Sequence, residues 1–345
     1  MGLVFVAHAG LDRLIPGGLG VTIFFFLSGF LITTLLMREY AKAGRISLKA
    51  FYGRRARRIL PPMYAAMVIG LILVGLKLQP GVLSWQGVLA QACHCANIFV
   101  IVTHGGKGMI PGLGLLWSLA VEEHFYLLFP LVLVLALRRF TPAEVAKGIV
   151  GACGLALLWR TCLVLGMHVP TDRTYIGTDT RLDSILWGCF LALWRNPATS
   201  AQSAKELARN RWLFVGLGVM LVSLVLRNTA FRETLRYSLQ SMALVPIFAA
   251  VILRTEQVGF RWLAHPVMVY LGRISYSFYL LHVLILNLAG RYLHAGDLID
   301  GVAAFAVTTA AASLIMVLVE QPMARLGHRR SQVPEATEWL PNRVA

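Results

Sequence analysis

Residues 17–36 read GGLGVTIFFFLSGFLITTLL, an apolar run without a charged side chain. A helix of roughly 20 mostly apolar residues spans the hydrocarbon core of a bilayer. Within the run, Ser28 and Gly29 are small enough to let a second membrane helix approach closely, and the three consecutive phenylalanines are typical of helix packing. The stretch therefore predicts a membrane-spanning helix that is packed inside a bundle.

The composition extends this prediction to the whole chain. The 345 residues are 57% hydrophobic and 14% charged, with a mean hydropathy of +0.69, whereas a soluble domain has about 25% charged residues. Long apolar runs recur from end to end. We therefore predict an all-α, polytopic membrane helix bundle that forms one integral membrane domain over residues 1–326, followed by a flexible cytoplasmic tail at 327–345.

Apolar runs of sufficient length predict about ten membrane spans. They lie near 1–15, 18–37, 61–79, 116–137, 145–166, 181–194, 212–227, 237–253, 266–290 and 300–320. The segment 83–103 is ambiguous, because it is apolar enough to cross but carries Gln86, Gln91 and Asn97. Its placement has to be decided by the charges of the loops.

The net charge of +16 is explained by membrane topology, because Lys and Arg accumulate in cytoplasmic loops; we infer no nucleic-acid partner. The loop 38–60 is rich in both residues and is predicted to be cytoplasmic. The basic clusters near 138, 195–211, 254–261 and 325–330 fall on the same side only if 83–103 does not cross. We therefore predict cytoplasmic termini and a re-entrant or interfacial helix at 83–103 on the outer side.

Ionisable groups inside predicted spans are costly, which makes them candidates for function. His8 lies in the first span, where a neutral imidazole could serve as a general base; by itself it could equally hydrogen-bond a neighbouring helix. Glu122 shares a helix face with Tyr126 in the run LLWSLAVEEHFYLLFP. A carboxylate buried there must be paired or neutral.

Four arginines, Arg54, Arg55, Arg57 and Arg58, precede Pro61 and Pro62, which we predict to begin the third span. The arginines could set the topology, bind anionic lipid head groups, or hold a polyphosphate donor through their planar, multidentate guanidinium groups.

Two later motifs also carry candidate site residues. TDTRLDSILWG places Arg181 and Asp183 at the outer mouth of a span, where they could form an ion pair. ISYSFYLLH places Tyr276, Tyr279 and His282 where they could line a substrate path or form a hydrogen-bonded helix seam. Cys93, His94 and Cys95 lack a second ligand pair at zinc spacing, so no metal site is predicted.

In their order along the chain, these stretches resemble the acyltransferase-3 family of integral membrane acyltransferases over residues 1 to about 326. Members O-acylate, most often O-acetylate, surface polysaccharides, other glycans or small molecules. The motifs that carry the resemblance are His8 at the end of the first span, GVTIFFFLSGFLIT, RRARRILP, WSLAVEEHFYLLFP, RLDSILWG, ISYSFYLLH and VEQP.

The resemblance implies an O-acetyltransferase of a bacterial inner membrane. Acetyl-CoA is the expected cytoplasmic donor, held by Arg54, Arg55 and Arg58, and His8 acts as the base or carries the acyl group. Glu122 orients His8 or helps to bind the acceptor, a hydroxyl of a glycan such as lipopolysaccharide or exopolysaccharide. The expected substrate-binding residues are Trp117, Ser118, Tyr126, Arg181, Asp183, Tyr276, Tyr279 and His282.

The sequence departs from the family pattern in two ways. An arginine usually lies ten or eleven residues before the histidine, a position that would precede Met1, so we expect the first helix to be truncated. Some members also carry a fused extracytoplasmic hydrolase-like domain, for which we expect no counterpart in residues 1–345. A membrane transporter or a non-catalytic component of polysaccharide export is the alternative function, because intramembrane His, Glu and Arg also occur there.

Overall fold

The computed structural model describes residues 1–11, 16–294 and 296–328, and within these ranges all regular structure is helical. This confirms the predicted all-α class. The helices are α1 (Gly2–Leu11), α2 (Gly17–Ala43), α3 (Leu48–Gly75), α4 (Trp85–Ala92), α5 (Ala96–Thr103), α6 (Leu116–Leu137), α7 (Pro142–Gly166), α8 (Thr171–Ile176), α9 (Thr178–Trp194), α10 (Ala201–Ala204), α11 (Asn210–Val225), α12 (Thr229–Glu233), α13 (Leu235–Leu253), α14 (Pro266–Arg273), α15 (Ser275–Tyr292), α16 (Asp297–Ile315) and α17 (Gln321–His328).

Six of the described helices are long and apolar enough to cross a membrane. They are α2, α3, α6, α7, α13 and the continuous stretch Leu298–Arg325. A seventh is added if α14 and α15, bent by 74° at Ile274, form one broken span. A multi-pass bundle is therefore confirmed, whereas the count of ten spans is not, because α1, α9 and α11 have only 10, 17 and 16 residues.

The third span does not begin at Pro61 as predicted. Helix α3 starts at Leu48 and continues through Pro61 and Pro62 to Gly75. Its start is determined by Ser47, whose side chain accepts a hydrogen bond from the Ala50 N–H at 3.3 Å and so caps the first turn. The four arginines consequently lie inside the helix, and the connection to α2 is only residues 44–47 long.

The ambiguous segment 83–103 forms two short helices, α4 and α5, with a turn at residues 93–95. Each has eight residues and is about 12 Å long, so neither can cross a bilayer core of about 30 Å. The buried Gln91 amide donates to the Leu113 carbonyl at 3.0 Å and accepts from the Ile110 N–H at 2.8 Å. The geometry agrees with the prediction that this segment does not cross as one helix.

Helices α2 and α9 form the closest packed pair at the centre of the bundle. A Cβ atom added to Gly29 of α2 would lie 2.0 Å from the Ile185 carbonyl oxygen, and one added to Gly188 of α9 would lie 2.0 Å from that of Phe26. The predicted close approach at Ser28 and Gly29 is confirmed. Helices α7, α11 and α13 pack beside this pair, α3, α15 and α16 pack together on the other side, and α6 lies between the two groups.

The antiparallel packing gives the bundle a basic end and an opposite end. The basic end contains the connections 44–47, 138–141, 195–209 and 254–265. Arg38 of α2 contacts the third of these connections, because its Nη2 donates to the Ala198 carbonyl at 3.0 Å. The opposite end contains residues 167–177 and 226–234. Of the predicted tail, residues 327 and 328 belong to α17 and the remainder lies outside the described residues.

Candidate active site

Helix α6 carries a line of three buried polar side chains through the bundle. Ser118, Glu122 and Tyr126 are spaced four residues apart, so they share one helix face over about 12 Å. The Tyr126 hydroxyl donates to Glu122 Oε1 at 3.3 Å and lies 2.5 Å from Ser28 Oγ of α2. Glu122 and Tyr126 share the predicted helix face, and the structure adds a hydrogen bond between them.

Toward the basic end, the line meets the arginines of α3. The Arg55 guanidinium carbon lies 4.9 Å from the centroid of the Tyr126 ring, within the range of a cation–π contact. Arg54 Nη2 forms an ion pair with Glu39 Oε2 at 2.9 Å, while Arg58 is exposed. The three predicted donor-binding arginines therefore differ: one is paired, one faces the interior and one faces outward.

Toward the opposite end, the line meets a pair of histidines. Ser118 Oγ lies 2.7 Å from the Tyr279 hydroxyl, and Tyr279 is one turn from His282 on α15. His282 Nε2 is 3.1 Å from His8 Nδ1. His282 is 1% exposed, whereas His8 is exposed and lies just before a kink, where the backbone leaves the helical conformation at Ala9 and Gly10.

Hydrogen-bond chemistry assigns the tautomers of this pair. His282 Nδ1 lies 2.7 Å from the Tyr279 carbonyl oxygen, which can only accept, so Nδ1 carries the proton. In a neutral ring, Nε2 of His282 is then an acceptor, and the proton between the two rings belongs to Nδ1 of His8. The lone pair of His8 is thereby left on Nε2.

These contacts change the role expected for Glu122. The hydrogen-bonding side chain beside His8 is His282, whereas Glu122 bonds to Tyr126 nearer the middle of the bundle. Within the described residues, His282 is therefore the side chain that lies within hydrogen-bonding distance of the His8 ring. Sequence analysis missed this because residues 8 and 282 meet only through the packing of α1 against α15.

The predicted ion pair between Arg181 and Asp183 is wrong. Asp183 bonds to Arg160 of α7 through both carboxylate oxygens, at 3.0 and 2.9 Å, and all three side chains are fully buried. Arg181 Nη2 instead donates to Thr22 Oγ1 at 3.0 Å. Residues two apart on a helix point to different faces, so neighbours in sequence need not be partners in space.

Two further predicted site residues take structural contacts. The Tyr276 hydroxyl donates to the Ile59 carbonyl at 2.8 Å and joins α15 to α3. The Trp117 ring packs 5.0 Å from the Tyr175 ring and edge-on against Phe25. Trp117 therefore links the histidine end of α6 to the surroundings of Arg181.

Sequence analysis missed Arg160, Ser28 and Tyr175. Arg160 offered a signal, because it is a charged residue within the predicted span 145–166. Ser28 was interpreted as a small packing residue, and its hydroxyl also reaches Tyr126. Across the described ranges, no three His, Cys, Asp or Glu side chains come together as metal ligands.

Comparison with known proteins places this arrangement in a family. The model of the acyltransferase domain, acyltransferase-3, matches residues 3–319. The chain therefore belongs to the acyltransferase-3 family. No solved structure showed a significant match.

Two curated relatives from Staphylococcus aureus illustrate the similarity. The O-acetyltransferase OatA of strain NCTC 8325 is 28% identical over 305 residues, covering 86% of this chain and 50% of the relative. A protein of strain COL, named as a putative O-acetyltransferase, is 29% identical over 359 residues, covering 99% of this chain and 57% of the relative. The chain thus spans about half the length of the curated relatives it matches.

Proposed function

We propose that this chain is a membrane-bound O-acetyltransferase that moves an acetyl group from cytoplasmic acetyl-CoA to a glycan hydroxyl on the other side of a bacterial inner membrane. The basic end is the proposed cytoplasmic side. The observation that supports the proposal is the polar line from Arg55 through Tyr126, Glu122 and Ser118 to the histidine pair. It connects a basic surface suited to phosphates with an exposed imidazole at the opposite end.

In this proposal the arginines of α3 hold the phosphates of the donor. Arg58 is exposed and Arg55 faces the polar line, which supports a role for both in binding a donor that enters from the basic end. Arg54 is engaged by Glu39, and its contribution is to hold α2 against α3. The acetyl thioester would lie along the face of α6 that carries Tyr126, Glu122 and Ser118.

His8 supplies the base. Its Nε2 lone pair takes the proton of the acceptor hydroxyl while the hydroxyl oxygen forms a bond to the acetyl carbonyl carbon. The carbon–sulfur bond then breaks, and the proton passes from His8 to the CoA thiolate. A transient acetyl-imidazole is the alternative route and uses the same nitrogen. His282 is a positioning residue, because it keeps the proton of His8 on Nδ1.

The test of the base is a matched pair of histidine variants in membrane vesicles supplied with labelled acetyl-CoA. H8N should lower the formation of acetylated glycan by at least about 10²-fold, the usual contribution of positioned acid–base catalysis. H104N is the control, since His104 is exposed and asparagine tolerates its left-handed backbone. Wild-type transfer by H8N would refute the assignment, and label crossing the membrane without glycan acetylation would favour a transporter.

A matched pair of arginine variants tests the proposed donor site. R58Q should raise the KM for acetyl-CoA about tenfold or more, because a charge-assisted contact to phosphate is worth about 1.5–3 kcal/mol. R57Q removes the same charge from the same turn and should leave the KM unchanged. An equal response of both variants would mean that these arginines act only on topology or lipid binding.

The positioning role of His282 is tested by rescue. H282L removes the acceptor of the His8 proton and should lower kcat strongly. H282Q offers an amide oxygen to His8 and an amide N–H to the Tyr279 carbonyl, so it should recover much of the lost rate. If both variants are equally impaired while remaining folded, His282 has only a packing role.

A further inference from the structure

Arg181 is a buried cation with few hydrogen bonds. Its side chain is fully buried, and Nη2 donates to Thr22 Oγ1, whereas Nε and Nη1 have no hydrogen-bond partner. Its guanidinium carbon lies 3.9 Å from the centroid of the Tyr237 ring and 5.6 Å from that of Tyr175. Aromatic faces attract the cation, but they do not replace the hydrogen bonds that the two nitrogens can donate.

Arg181 also forms no ion pair with Asp183, the carboxylate two residues along the same helix. Asp183 is engaged through both oxygens by Arg160, and Ser238 donates to it at 2.5 Å. An arginine cannot become neutral in a protein, and a buried charge is normally paired. Arg181 therefore retains a positive charge and two free donors that suit an anion.

The surrounding segments add a small excess of positive charge. Residues 167–180 and 226–236 contain four arginines against three acidic residues. Arg227 and Arg232 are exposed, and Arg236 approaches the Tyr237 ring from 5.3 Å. On the proposed outer side, a membrane protein is expected to be poor in arginine, so topology does not account for this charge.

A chain of contacts through α2 and Tyr175 connects Arg181 with the segment that carries the proposed base. The ideal Cβ position of Gly17 is 2.8 Å from Ala7 Cβ, next to His8, and that of Gly18 is 3.4 Å from the Tyr175 hydroxyl. The first turn of α2 thus separates His8 on one side from Tyr175 on the other. Tyr175 is half-buried and belongs to the six-residue helix α8.

We propose that Arg181 binds an anionic group of the acceptor, a carboxylate or a phosphate, which reaches the guanidinium by displacing the Tyr175 ring. The anion would anchor the acceptor while one of its hydroxyls reaches His8. This inference rests on the proposed function for the identity of the ligand as acceptor. The arginines at 227, 232 and 236 would attract such a ligand to this end of the bundle.

A binding measurement tests the site without requiring transfer. The thermal unfolding of the detergent-purified chain is followed with glucuronate, glucose 6-phosphate or glucose at the same ionic strength. At least one charged sugar should raise the unfolding temperature while glucose does not. The charged sugar that acts distinguishes a carboxylate from a phosphate as the source of the anion.

Two variants locate the effect. R181M should abolish the shift, and R58Q, at the basic end, should retain it. The proposal is overturned if neither charged sugar stabilises the wild type, or if the shift survives in R181M. A shift that is lost in R58Q and kept in R181M assigns the anion site to the basic end instead.

Kinetics then separates this inference from the proposed function. With a charged acceptor, R181M should raise the KM about ten- to a hundredfold with little change in kcat, and with a neutral acceptor it should behave as wild type. Loss of transfer in H8N together with an unchanged KM in R181M would refute this inference and leave the proposed function standing. Retained transfer in H8N with a retained R181M effect would refute the assignment of His8 as the base and leave this inference standing.

Discussion

Arg160 and Arg181 are both fully buried at the same end of the bundle, yet their surroundings differ. Arg160 donates from Nε to the Thr234 carbonyl at 2.8 Å, and its other two nitrogens bond Asp183, Ser238 and the Thr180 carbonyl. Arg181 has one hydrogen bond and an aromatic surround.

The difference teaches how to interpret a buried charge in a membrane bundle. The Arg160 network is closed, because each of its nitrogens and both oxygens of its carboxylate have partners, so it joins α7, α9 and α13 and has nothing to offer a ligand. In Arg181, Nε and Nη1 have no hydrogen-bond partner and can donate to a ligand. Burial and charge alone would have ranked the two arginines as equal candidates; the hydrogen-bond partners separate them.

The largest expected effect comes from breaking the closed network. R160L leaves the Asp183 carboxylate buried without its bidentate partner and should destabilise the fold by about 3–5 kcal/mol, the usual cost of an orphaned buried charge. Thermal unfolding in detergent should show a large drop or a loss of folded protein. Near-wild-type stability of R160L would remove the distinction between the two arginines.

Replacing both partners should recover most of this loss. The double variant R160L/D183L exchanges an ion pair for apolar side chains, a change that is often neutral or stabilising. Its unfolding temperature should therefore lie much closer to wild type than that of R160L. An additive loss would show that the contacts to Thr234 and Ser238, and not the ion pair, dominate the network.

R181M should behave in the opposite way. It removes an uncompensated buried charge and keeps a side chain of similar length, so stability should be unchanged or higher, by about 1 kcal/mol at most, in line with apolar replacement of buried charges. The same variant should lose acceptor affinity. A stability loss as large as that of R160L would make Arg181 a structural residue.

The smallest effect is expected at an exposed pair on the same end. Arg173 forms an ion pair with Asp179, and both side chains are partly open to solvent. R173Q should change stability by less than about 1 kcal/mol, because exposed pairs are screened by water and salt. A loss that persists at high salt would contradict this ranking.

Local sequence patterns predicted much of the fold. The apolar run at 17–36 predicted α2, and its Ser28–Gly29 step predicted the close contact with α9. The start of α3 was misplaced, because Pro61 is a strong local start signal while the serine cap at 47 lies far from the apolar run. The break between α14 and α15 was also missed, because the apolar pattern continues across it.

For the candidate site, sequence alone identified Glu122 with Tyr126 and the histidines as individual groups. It could pair residues four apart on one helix, because a helix has a fixed geometry. It could not pair His8 with His282 or Asp183 with Arg160, since those contacts depend on which helices are neighbours.

The sequence by itself determined that this chain is a membrane helix bundle with ionisable groups inside it, because apolar length and charge content follow directly from composition. It also determined that the side chains of Ser118, Glu122 and Tyr126, spaced four residues apart, share one face of α6. Tertiary structure alone decided which buried arginine has a hydrogen-bond partner for every nitrogen and which has unpaired donors. It also decided which nitrogen of His8 carries the lone pair. Those properties depend on hydrogen-bond partners from distant helices, and only packing brings such partners within 3 Å or so of each other.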